Sequence, residues 1–128
     1  MASPTIALWC LFIAALMPYF VVAIAKSSKA YDNEDPRNMG GFQTPLRRRA
    51  HGAHQNCFEA FGLFAMAVLV ALLEKEAPAI LNGLALLWIF LRLVYIAMYL
   101  AGRGALRTMS WFAASFTSTW IFLIAIVG

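Results

Sequence analysis

Four apolar blocks, each about as long as a bilayer crossing, leave this chain little choice of fold. Residues 5–25 and 108–127 carry no charge, residues 56–73 are apolar apart from Asn56 and Glu59, and residues 79–101 are apolar apart from Asn82 and Arg92. A helix rising about 1.5 Å per residue needs roughly 20 residues to cross about 30 Å of hydrocarbon. Only 12% of the 128 residues are charged, where a soluble domain has about a quarter. The alternating segments of roughly ten residues that a barrel requires are absent. The expectation is an all-α, integral membrane four-helix bundle forming a single domain over 1–128, with helices at about 5–25, 45–74, 78–101 and 107–127.

The first block could be read as a cleaved signal, because "AIA" at 23–25 fits a small-residue cleavage pattern. Its length, the missing basic region before it and Lys26 directly after it suit a membrane anchor better.

Basic residues set the orientation. Lys26, Lys29, Arg37, Arg47, Arg48 and Arg49 lie between the first two blocks, and Arg103 and Arg107 between the last two. The opposite loop, "LEKEAP", holds only Lys75. The positive-inside rule places the basic loops in the cytoplasm and both termini on the other side. The net charge of +4 thus reports topology and contact with anionic lipid, not nucleic acid.

Local signals mark the ends. Segment 26–43 reads as turns. Thr44-Pro45 reads as an N-cap with Pro at the first helical position, so the second helix begins outside the hydrocarbon and carries the arginines inward. Ala77-Pro78 opens the third helix, and Gly102-Arg103-Gly104 ends it. Pro18 is expected to bend the first helix. Cys10 and Cys57 belong at opposite depths and should not pair.

An ionisable group in the hydrocarbon costs on the order of 3 kcal/mol, so it faces protein or water. Glu59 and Arg92 fall at similar depths on consecutive helices and are expected to pair. Asn56 and Glu59 share one helix face. Arg92, Tyr95 and Tyr99 follow an i, i+3, i+7 pattern on another. With Arg107 from the same side, these faces would line a cavity suited to a small anionic ligand. A structural ion pair and an interfacial aromatic belt are the plainer alternatives. His51, His54 and Cys57 drift around the helix and lack a second cluster, so no metal site is expected. "ASFTST" at 114–119 reads as small residues for close helix packing.

The stretches "AHQNCFEAF" at 53–61 and "RLVYIAMY" at 92–99, followed by Arg107, resemble the MAPEG family, the membrane-associated proteins of eicosanoid and glutathione metabolism. The resemblance implies a homotrimer that binds glutathione as co-substrate between subunits, in the cytoplasmic half. It implies that Asn56 and Glu59 contact glutathione, that Arg92 supports Glu59 or reaches a ligand carboxylate, and that Tyr95 and Tyr99 bind the peptide. Arg107 would be the catalytic residue stabilising the thiolate, which then attacks a lipophilic small molecule arriving from the bilayer. Glutathione-using members carry a basic residue seven positions before the Glu, where this chain has Gly52. Arg49, with Arg48, stands one turn earlier and could substitute. The alternatives are a non-enzymatic lipid-binding or accessory subunit of the same fold, and a small transporter built around Glu59. A permanent Arg92 partner would suit Glu59 poorly to proton exchange.

Overall fold

The computed structural model describes residues 3–27, 31–36 and 44–128. Lys29 and Arg37, counted above with the basic segment, lie outside the described residues. Four helices follow in order: α1 (Thr5–Ala25), α2 (Pro45–Leu73), α3 (Pro78–Leu100) and α4 (Gly104–Val127). All four are long and apolar enough to cross a membrane. The short links α2–α3 and α3–α4 force antiparallel neighbours. α1 packs chiefly on α2, and α4 on α3 and α2.

The ends follow local chemistry. Thr44 caps α2, its Oγ1 accepting from Arg47 N at 3.2 Å, with Pro45 at the first helical position. α3 closes in a Schellman turn: Gly102 takes φ +73° while Arg103 N donates to Met98 O at 2.9 Å and Gly102 N to Tyr99 O at 3.1 Å. That closure needs only Ala101, Gly102 and Arg103, so α4 begins at Gly104, three residues earlier than the sequence suggested. Arg107 is therefore inside the first turn of α4, its N–H bonded to Arg103 O. Lys75 closes α2 in the same way at φ 59°. α1 continues unbroken through Pro18. In the described part of the linker, Asp32 Oδ1 accepts from Glu34 N at 2.9 Å, the turn chemistry expected there.

The α1–α2 seam is built from small side chains. Ala7, Cys10 and Ala14 of α1, with Ala67 and Ala71 of α2, are buried. Further along, Ala25 meets Ala50. Both cysteines are free. Small residues let backbones approach closely where lipid supplies no hydrophobic drive. Between α2 and α3 the filler is larger: Phe64 and Trp88 stack with centroids 3.9 Å apart. Many other bulky apolar residues face outward, among them Trp9, Phe20, Phe112 and Phe116. Only 28–33% of each membrane-length window is buried within the chain, which leaves the remaining faces to lipid or to other copies.

Candidate functional site

On α2, Asn56 and Glu59 lie one turn apart, and Asn56 Nδ2 donates to Glu59 Oε2 at 3.1 Å. The expected ion pair between Glu59 and Arg92 is not formed. Arg92 instead directs Nη2 to Cys57 Sγ at 3.9 Å, and its guanidinium lies 4.1 Å from the Tyr95 ring centroid. The reason is azimuth, not depth. Cys57 and Glu59 are two residues apart, hence about 160° apart around the helix. Cys57 faces inward among Ala53, Met17 and Val21, whereas Glu59 sits at the exposed rim. Arg92 is 1% exposed, and its Nε and Nη1 have no hydrogen-bond partner.

Arg92, Asn56 and Glu59 still meet around one cavity of about 150 Å³, closed by Trp88, Trp111, Ser115 and Ser118. Asn56 Oδ1 and Ser118 Oγ are also buried there without partners. A second cavity of about 270 Å³ lies beside it, lined by Asn56, Tyr95, Tyr99, Arg107, Thr108 and Trp111. The two share Asn56 and Trp111 and form one polar groove at the basic end of the bundle. Along it, cations and rings alternate. Arg92 covers Tyr95, Tyr95 meets Tyr99 edge-on at 5.7 Å, and Arg107 lies 4.9 Å from the Tyr99 centroid. Each cation–ring contact holds a guanidinium in place without neutralising it.

Six of the seven residues singled out from the sequence thus come together. Arg49 stands apart: its Nε donates to Leu100 O at 3.1 Å, satisfying a terminal carbonyl of α3. Gly52 has a structural counterpart. A Cβ built there would fall on the Tyr99 hydroxyl and 2.8 Å from Tyr99 Cζ, so the phenol occupies space that any larger residue at 52 would claim.

Sequence reasoning missed the α4 wall. Thr108, Trp111, Ser115 and Ser118 line the groove, and their 3–4–3 spacing marks one helix face. The hydroxyls of Ser110, Thr117 and Thr119 bond back to their own helix. Ser118 does not, and its hydroxyl is left to the cavity. His54 Nδ1 lies 2.9 Å from Pro18 O, a link across the α1–α2 seam. Among the described residues, no three His, Cys, Asp or Glu side chains gather as for a metal ion.

Four membrane-length helices that turn most of their bulky apolar side chains outward define a multi-pass membrane protein. Within that class the chain belongs to the MAPEG family, whose family model matches residues 6–127. Neither curated proteins nor solved structures yielded a match.

Proposed function

We propose that the groove binds glutathione, or a thiol of its kind, and activates it against lipophilic electrophiles. The observation that carries this reading is Arg92: a fully buried guanidinium with two unpartnered nitrogens, opening on a cavity it shares with Asn56 and Glu59. A buried cation in that state calls for an anionic oxygen. Glu59 and Asn56 Oδ1 offer acceptors for an ammonium group. Arg107, held over Tyr99 on the outer side of Asn56 and Trp111, stabilises the thiolate. The thiolate sulfur forms a bond to the electrophilic carbon, the leaving group departs with its electron pair, and the thiol proton passes to solvent.

The electrophile has an apolar approach. Leu87, Leu91, Phe112 and Phe116 line an open groove on the outer face of α3 and α4. It shares Trp111 and Ser115 with the polar cavity, so a lipophilic molecule coming from the bilayer would meet the thiol at that wall. Two cations in the polar groove favour an anionic ligand over proton exchange at Glu59. The active form in this reading is a homotrimer, with the basic loops cytoplasmic and both termini on the opposite side. Arg49 serves there as a cap on α3.

The test is conjugation and thiolate absorbance with detergent-purified protein, glutathione and an aryl halide. Wild type should show both, and Arg107→Ala should lose the thiolate signal and the turnover. A silent Arg107→Ala with a lipid copurifying would identify an accessory lipid-binding subunit instead.

A further inference from the structure

One side chain belongs to every space around the candidate site. Trp111 lines the inner polar cavity with Arg92, the outer one with Arg107, and the apolar groove with Leu87, Leu91 and Phe116. Among the described residues, the cavity holding Arg107 and the apolar groove share no other lining residue. Trp111 stands one turn after Arg107 on α4, on the same helix face. Its ring meets Phe112 edge-on, with centroids 5.0 Å apart. The plainer role for a membrane tryptophan is the interfacial belt. Trp9 and Trp120 suit that role, being 60% and 48% exposed and lining neither polar cavity, whereas Trp111 is 37% exposed and walls both. This sharing is internal to one chain, whatever a neighbouring copy adds outside it.

We propose that Trp111 sets the electrophile specificity of the groove, its indole receiving a flat, electron-poor π-system such as an activated aryl halide. This rests on reading the groove as a thiol site. A thiolate beside Arg107 and an electrophile in the apolar groove meet at this ring, so the reacting carbon comes alongside it. The indole face is rich in π electrons. A ring drained by electron-withdrawing substituents stacks on that face in an offset arrangement, whereas a tetrahedral alkyl carbon offers no face to stack. The thiolate sulfur bonds to the carbon bearing the halogen, and a ring electron pair shifts onto the substituents. The halide then leaves with its bonding pair as aromaticity returns. The indole binds and orients the ring and takes no part in these bond changes.

Conjugation of glutathione to chlorodinitrobenzene is measured with detergent-purified wild type, Trp111→Leu and Trp111→Phe, with thiolate absorbance recorded alongside. Iodohexane is read as a competitor in the same assay, whether or not it is itself turned over. Trp111→Leu is expected to raise KM for chlorodinitrobenzene about threefold to tenfold, the loss falling on KM more than on kcat. The inhibition constant of iodohexane should change less, and Trp111→Phe, which keeps an aromatic face, should recover most of the lost affinity. An unchanged KM in Trp111→Leu, or an equal loss for both molecules, overturns the proposal. So does loss of the thiolate signal in that variant, which would make the indole part of the thiol site. If wild type shows neither thiolate nor turnover, the thiol reading falls and this inference with it; the other adverse outcomes remove only the inference.

Discussion

Arg92 points Nη2 at Cys57 Sγ, 3.9 Å away, and leaves Glu59 to Asn56. A mid-membrane cation thus rests on a thiol and an aromatic face, with its remaining donors open to a cavity. In the proposed reading, the ligand supplies the compensation this charge lacks.

Arg92→Met separates stability from binding. Replacing a buried, incompletely paired charge with an apolar side chain of similar reach is neutral or stabilising. The variant should melt at or above the wild-type temperature, yet bind glutathione at least about tenfold more weakly. A variant that melts well below wild type would instead make Arg92 a packing element.

Gly52→Ala places a methyl against the Tyr99 phenol. Overpacking of this kind costs about 1–3 kcal/mol, and the displaced ring should carry Arg107 out of position. Lower thermal stability and weaker thiol binding are expected together. Adding Tyr99→Leu should restore the melting temperature but not the binding. Thermal denaturation and ligand titration of the single and double variants check both.

The polar groups the sequence announced and the ones it hid differ in what locates them. The four spans, the Thr44 cap and the Pro78 start follow from local composition, and the structure has them where they were expected apart from the earlier start of α4. That Glu59 and Arg92 come to one level was legible too, because position is counted along each helix. Their failure to pair depends on how α2 is rotated against α3. Apolar residues on every side of a membrane helix erase the stripe that would reveal that rotation. Ser118 was hidden for a related reason: among "ASFTST", only packing decides which unbonded hydroxyl is buried.

Ser118→Ala removes a buried hydroxyl that has no partner. An unsatisfied polar group costs about 1–3 kcal/mol, so the ligand-free protein should gain stability, read as a higher melting temperature. Ser118→Leu should instead fill the roughly 150 Å³ cavity and weaken thiol binding, measured by titration.

Asn82 acts as a cap supplied from another helix. Its Oδ1 accepts from Ala7 N at 2.9 Å, one of the first amides of α1, and its Nδ2 donates to Ser3 O at 2.8 Å. Asn82→Leu should cost about 1–2 kcal/mol, the range of a lost N-cap. Asn82→Asp, which keeps the acceptor, should lose less. Chemical or thermal denaturation in detergent compares the two.

The alanine seam between α1 and α2 behaves as a keel. Its buried side chains are mostly alanine, so there is little side-chain volume to trim and little room for a larger residue. New chemistry in such a bundle has to enter along the opposite edge, where α3 and α4 present Trp111, Ser115, Ser118 and Tyr99. Changes there reshape the groove while the keel holds the helices in place, so one scaffold can diverge in what it handles without relearning how to fold.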